Sequence, residues 1–158
     1  MSTPLTLDTF QVAGSETREE IARRHRPLLA LMDMIFPNED EARLVTARDD
    51  LREVARYCHD LGVKVVAIKR GALGAVLSCE GEFVDVPTTR TAVVDTCGAG
   101  DNFAGGFLAG VLRGLDARRA AELGCALGTL SVAYQGSLTG TSERQRLQEL
   151  MARFEFPP

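Results

Sequence analysis

The residues best suited to chemistry lie in the run Asp95-Thr96-Cys97-Gly98-Ala99-Gly100-Asp101. Gly98 and Gly100 let the backbone turn tightly and come close to a ligand. A helical pattern follows, with Phe103, Phe107, Leu108, Val111 and Leu112 as its apolar positions. The first N–H groups of a helix have no partner inside it, and the helix dipole adds about half a positive charge there. Such a turn can hold an anion on the backbone donors of Gly98, Ala99 and Gly100. Asp101 would repel an anion that was merely bound. It makes chemical sense as a base that takes a proton from an attacking hydroxyl, while those donors carry charge on a transferring phosphoryl group. The spacing alone leaves a second reading open, in which Asp101 caps the helix and the glycines only make the turn. A dinucleotide loop fits poorly: Gly105 falls too late after Gly98-x-Gly100 for G-x-G-x-x-G. No acidic residue ends a second strand about 20 positions on. The Gly-Lys-Ser/Thr of a P-loop is absent from the sequence.

The elements that position this turn follow from local signals. Pro4 to Leu7 reads as a short extended piece ending at Asp8. Thr17 with Glu20 fits a capping box opening a helix to about Leu31. Asp33 to Phe36 reads as a short buried strand stopped by Pro37, and Glu39 to Val45 as a short helix. A longer helix spans Asp49 to Leu61, with Leu51, Val54, Ala55 and Cys58 as its stripe and Gly62 beyond its end. Val63 to Ile68 is an apolar run typical of a buried strand. Ala75 to Ser78 and Glu82 to Val86 flank Glu80-Gly81 as a hairpin, and Ala92 to Val94 is a further short strand. Helices are expected from about Gly98 to Arg113, Asp116 to Tyr134, and Ser142 to Phe154. Strands alternating with helices indicate an α/β sheet, largely parallel with some antiparallel edge. Such sheets bind ligands at the carboxyl ends of their strands.

A chain of 158 residues suggests one domain, 1-158. Apolar residues make up 45% and charged residues 25%, ordinary for a globular protein. The net charge of −4 and the lack of a basic–aromatic patch speak against nucleic acid or an acidic membrane as partner. Cys58, Cys79, Cys97 and Cys125 have no Cys-x-x-Cys spacing, which points to reduced thiols in a cytoplasmic protein. No apolar run is long enough to span a membrane, and the start of the chain has no signal-peptide pattern.

The stretch DTCGAGDNFAGGFLAG, residues 95 to 110, resembles the C-terminal signature of the ribokinase-like, or PfkB-type, carbohydrate kinases. The resemblance implies a three-layer αβα sheet and ATP-dependent transfer to a hydroxyl of a sugar or nucleoside, with Asp101 as the base. Three further features agree in order and distance. Asn38-Glu39-Asp40-Glu41 resembles the family's Asn-x-x-Glu motif, in which Asn38 and Glu41 would organise Mg²⁺ and the nucleotide phosphates, partly through water. By residue type alone, this stretch reads more readily as a solvated acidic helix start, and its register with the signature is what favours the motif. Lys69-Arg70-Gly71-Ala72-Leu73-Gly74 looks like the family's nucleotide-binding strand and loop, implying nucleotide contacts from Lys69, Gly71 and Gly74. A plain hairpin turn and a solvated lysine are the local alternative. Tyr134-Gln135-Gly136 matches the region that closes over the base. There Asp95, Cys97 and Gly136 would help form a site for a monovalent cation such as K⁺, whereas locally Gly136 reads as an ordinary helix C-cap. Cys125 stands where several members carry Asn or His near the base.

The resemblance covers only the family's C-terminal, nucleotide-binding portion, since members run to roughly twice this length. The Gly-Gly substrate motif and the β-sheet lid of the other half have no counterpart in this sequence. The expectation is a partial kinase domain without its lid, which self-associates or takes a complementing N-terminal half, because missing strands leave a sheet edge and apolar faces uncovered. A non-catalytic nucleotide-binding fragment or interaction module is the alternative.

Overall fold

A computed structural model of the protein describes residues 16–154 and 156. The extended piece expected at Pro4 to Leu7, with Asp8, lies outside the described residues. The chain forms two compact units. One holds the described residues up to Arg70 together with Val76–Val84; the other holds Gly71–Ala75 and the described residues from Asp85 on.

In the first unit, α1 (Arg18–Leu29) opens on the expected capping box, with Thr17 and Glu20 exchanging side-chain and backbone hydrogen bonds. β1 (Met34–Ile35) leads into α2 (Glu39–Thr46), α3 (Leu51–Asp60) and β2 (Val65–Lys69). α3 is capped by Asp50, whose Oδ1 accepts from the N–H groups of Arg52 and Glu53. It closes with Gly62 N–H on the His59 carbonyl and Val63 N–H on that of Cys58. This pair of bonds satisfies carbonyls that would otherwise be orphaned and buries Val63. Ile35, Val45, Val54, Cys58, Val66 and Ile68 form the core of this unit.

β1 and β2 pair in parallel, Met34 with Val65 and Ile35 with Val66. β3 (Ala75–Cys79) and β4 (Glu82–Val86) complete a sheet of order β1-β2-β3-β4. Arg70–Gly74 and Glu80-Gly81 are too short for the crossover that parallel neighbours need, so β2, β3 and β4 alternate in direction. Among the described residues the sheet is thus less parallel than the sequence suggested. The hairpin turns where expected, on Glu80 and Gly81, both with positive φ.

One local strain yields a prediction. α2 ends on Ala47 in the left-handed region, φ 54° and ψ 37°. Arg18 holds this end by donating to the carbonyls of Arg43 and Arg48, and it pairs with Asp49 at 3.0 Å. A left-handed alanine costs roughly 1–2 kcal/mol, only part of which is returned as entropy when glycine replaces it. Ala47→Gly should therefore stabilise the protein by about 1 kcal/mol, seen as a higher melting temperature.

In the second unit, α4 (Ala99–Leu112) packs on α5 (Ala117–Val132), and α6 (Thr139–Ser142) and α7 (Arg144–Met151) follow. The packing face of α4 keeps two of the expected large residues, Phe103 and Phe107, and is completed by small ones. Phe103, Ala104, Gly106, Phe107 and Gly110 are buried, whereas Leu112 is 87% exposed. The helices approach through small residues: a Cβ at Gly106 would lie 3.0 Å from the Cα of Gly124, and one at Gly124 would lie 2.8 Å from the Phe103 carbonyl. Close backbone approach around the two phenylalanines sets this interface.

Two expected elements differ. Ala92 to Val94 forms no strand; Val93 and Val94 are 63% and 62% exposed. The N–H groups of Val94 and Asp95 instead donate to the Val132 carbonyl at the end of α5, at 2.8 and 3.3 Å. The single helix expected from Ser142 is broken at Glu143, where ψ is 111°, leaving the one-turn α6 ahead of α7. Among the described residues no helix is long and apolar enough to cross a membrane.

Candidate active site

Asp95 begins the turn, and its carboxylate ties the turn to the segment at Gly136. Oδ1 accepts from the Cys97 N–H and Oδ2 from the Gly136 N–H, each at 2.9 Å. The structure therefore brings together Asp95, Cys97 and Gly136, the three residues expected at the cation site. The Cys97 N–H, then the Gly136 N–H, hold the Asp95 carboxyl below the usual range by bonding its charged form. A depressed folded value means that Asp95 contributes stability above the ordinary aspartate pKa of about 3.9, lost as pH falls through the folded value. Asp95→Asn should therefore melt below wild type near neutral pH, and the gap should close as acidification protonates the Asp95 carboxyl.

Gly98 is the N-cap of α4, with φ 76° and no side-chain cap. A Cβ there would lie 2.4 Å from the Ser137 Cβ and 2.8 Å from its Cα. Glycine is thus required twice, by conformation and by contact. The Ala99 N–H closes the turn onto the Thr96 carbonyl at 3.3 Å. This corrects the expectation that Ala99 offers a free donor. The N–H groups of Gly98, Gly100 and Asp101 make no hydrogen bond among the described residues. They are the orphan donors of a helix start, where the dipole favours negative charge.

Asp101 is exposed, and its carboxylate has no hydrogen bond or ion pair among the described residues. The capping alternative required it to accept a backbone N–H of the first turn, and it accepts none. An uncommitted carboxylate beside uncommitted N–H groups is an arrangement that can accept a proton next to a bound anion.

The sequence did not single out Asn102. Its Nδ2 donates to the Gly98 carbonyl at 2.9 Å and the Ser137 carbonyl at 2.7 Å, and its Oδ1 accepts from Thr141 Oγ1 at 2.8 Å. The available signal was an asparagine inside a helix, where that residue is disfavoured unless its side chain has polar partners.

Asn38, Glu41 and Lys69 belong to the first unit. Asn38 and Glu41 form a reciprocal capping box: the Asn38 N–H donates to Glu41 Oε2 at 2.7 Å and the Glu41 N–H to Asn38 Oδ1 at 2.8 Å. Asn38 Nδ2 and Glu41 Oε1 remain without a partner among the described residues. Lys69 extends the parallel pairing beyond β1, its N–H donating to the Pro37 carbonyl at 2.8 Å beside Asn38. Gly71 and Gly74 belong to the second unit. A single 3₁₀ turn, Gly71–Leu73, separates them. Gly74, at φ 85°, would place a Cβ 2.1 Å from the Val86 carbonyl, so it has a packing role of its own, while Gly71 stands in open space. Cys125 is buried, with Sγ donating to the Val86 carbonyl at 3.7 Å and burial pushing its thiol up to about 11. Among the described residues no three His, Cys, Asp or Glu side chains cluster to hold a metal.

Comparison with known proteins places this geometry in context. Residues 10–144 match the model of the pfkB family carbohydrate kinases. The chain is 40% identical over 113 residues to a cytidine kinase of Thermococcus kodakarensis, covering 68% of this chain and 40% of that protein. It is 33% identical over 129 residues to a ribokinase of Haemophilus influenzae, covering 78% and 42%. An Escherichia coli structure assigned as a ribokinase II, in complex with ATP and Mg²⁺, superposes with a TM-score of 0.74 at 29% identity, over 87% of this chain and 46% of that one. The fold is ribokinase-like, and the chain spans about two-fifths of the length of these curated relatives. On the match of 10–144 and these likenesses, the chain belongs to the pfkB family of carbohydrate kinases.

Proposed function

We propose that this chain supplies the phosphoryl-transfer part of an ATP-dependent kinase acting on a hydroxyl of a sugar or nucleoside. The observation that carries the reading is Asp101, exposed and unpartnered among the described residues beside the free N–H groups of Gly98, Gly100 and Asp101 itself. Asp101 takes the proton of the attacking hydroxyl as its oxygen bonds to the γ-phosphorus and the bond to ADP breaks. The backbone donors hold the charge on the transferring group, and each such donor is worth on the order of 10²–10³ in rate. The family's matched relatives include a cytidine kinase and a ribokinase, which supports a nucleoside or sugar acceptor.

Asn38 and Glu41 are the residues proposed to organise Mg²⁺, which neutralises phosphate charge when bound. The fit is chemical: Glu41 keeps one hard carboxylate oxygen outside the capping box, and Mg²⁺ keeps most of its ligands as water and phosphate rather than needing an all-protein cage. Lys69, Gly71 and Gly74 are proposed as nucleotide contacts. Asp95, Cys97 and Gly136 are proposed to frame a monovalent-cation site, K⁺ being the expected ion. We place the protein in the cytoplasm, in keeping with four unpaired cysteines. Its acceptor pocket is proposed to come from a complementing half or from self-association.

The share of its relatives that the chain spans favours a second reading, a nucleotide-binding unit without turnover. Titration of thermal stability with Mg-ATP, followed by ADP release over a panel of sugars and nucleosides, separates the two. Stabilisation with acceptor-dependent ADP release supports the kinase, and stabilisation without release supports the binding unit. No response to Mg-ATP contradicts both.

A further inference from the structure

The Gly98 carbonyl accepts twice from one residue, Asn102: from its backbone N–H and from Nδ2, each at 2.9 Å. The second amide hydrogen goes to the Ser137 carbonyl at 2.7 Å, and Oδ1 takes the Thr141 hydroxyl at 2.8 Å. Two carbonyls face one end of the amide and a hydroxyl the other, so the partners themselves fix which end is nitrogen. Holding the Gly98 carbonyl fixes the peptide plane between Gly98 and Ala99, because that plane is rigid. The tie to Ser137 holds the backbone against which Gly98 is packed without room for a Cβ. From the other side, the Gly136 N–H is held by Asp95. The turn and the segment Gly136–Thr141 are therefore one hydrogen-bonded unit, with Asn102 making three of its bonds through a single side chain.

We propose that Asn102 is a positioning residue for phosphoryl transfer. It touches no reacting atom. It sets the conformation in which the N–H groups of Gly98, Gly100 and Asp101 stay free and aligned at the start of α4. This rests on the reading of that turn as the phosphoryl site. A residue serving only helix stability would affect every nucleotide alike. A positioning residue acts on the terminal phosphoryl group selectively, since those donors hold it.

Calorimetric titration of the whole chain with Mg-ADP and with the Mg complex of β,γ-imido-ATP tests this. Wild type should favour the imido nucleotide. Asn102→Ala should weaken the imido nucleotide by about 10-fold or more and ADP by less than about 3-fold. Thr141→Val, which removes one partner of the amide, should shift the ratio in the same direction, by about 3-fold, and Thr141→Ser should keep the wild-type ratio. Equal losses for both nucleotides in Asn102→Ala, with wild type discriminating, overturn the positioning role and leave the phosphoryl site standing. A wild type that binds neither nucleotide, or both alike, overturns the phosphoryl site and this proposal with it. Should Asn102→Ala show no cooperative melt, the Thr141 pair decides, and an unchanged ratio in Thr141→Val overturns the proposal.

Discussion

Asp101→Asn should lower phosphoryl turnover by about 10³-fold while leaving the affinity for Mg-ATP within about 3-fold of wild type. The substitution keeps the size of the side chain and removes its ability to take a proton. It costs no cap, because the carboxylate accepts no backbone N–H and α4 starts on Gly98 without side-chain help. Folding should be unchanged for the same reason. Loss of a negative charge beside the phosphates should, if anything, favour nucleotide binding. Turnover is measured as acceptor-dependent ADP release, under the conditions in which the wild-type protein shows it. Activity at the wild-type level in the variant would remove Asp101 as the base.

Gly98→Ala should be the most damaging single methyl in the turn. Left-handed backbone costs a non-glycine residue roughly 1–2 kcal/mol, and displacing a packed neighbour adds about as much again. Here the neighbour is the Ser137 backbone, with its Cα 2.8 Å from the added carbon, and backbone cannot swing aside as a long side chain does. Chemical denaturation should show a loss of about 2–4 kcal/mol. Affinity for the imido nucleotide should fall further than for ADP, because the displaced peptide carries the donors. Gly105→Ala is the matched comparison on the same helix. Its added Cβ meets nothing within 4 Å, so it should stabilise by up to about 1 kcal/mol through helix propensity. Similar effects from the two substitutions would show that the turn at Gly98 is not under the constraint described.

Much of the fold was legible because its signals are local. Thr17 with Glu20 and the glycine at 62 each mark a helix end through bonds spanning a few residues. The hairpin at Glu80-Gly81 is likewise written in two residues. What the sequence hid depends on partners far along the chain. Residues 92–94 carry the β-branched character of a strand, yet pairing decides strand formation, and the Val94 N–H finds the end of α5 instead. On α4, Phe103 and Phe107 were legible as buried, but the glycines that let α5 approach are passed over by a search for large apolar residues.

The candidate site divides in the same way. Gly98, Gly100 and Asp101 were evident from type and spacing, but only the structure shows that the Ala99 donor is used within the turn. Asn38 and Glu41 were visible as a motif, while their reciprocal box shows that at least part of the pattern serves the helix start. The Asn102 bonds span 35 and 39 residues to Ser137 and Thr141, and no local pattern announces them.

The central claim is that the N–H groups of Gly98, Gly100 and Asp101 hold the transferring phosphoryl group. Amide chemical shifts of the isotopically labelled chain, followed during titration with Mg-ADP and then with the Mg complex of β,γ-imido-ATP, read those groups one by one. The expected result is that these three signals move strongly with the imido nucleotide and less with ADP, while the Ala99 amide, already bonded to Thr96, moves least in the turn. Saturable binding of the imido nucleotide that leaves the signals of Gly98, Gly100 and Asp101 unmoved would contradict it.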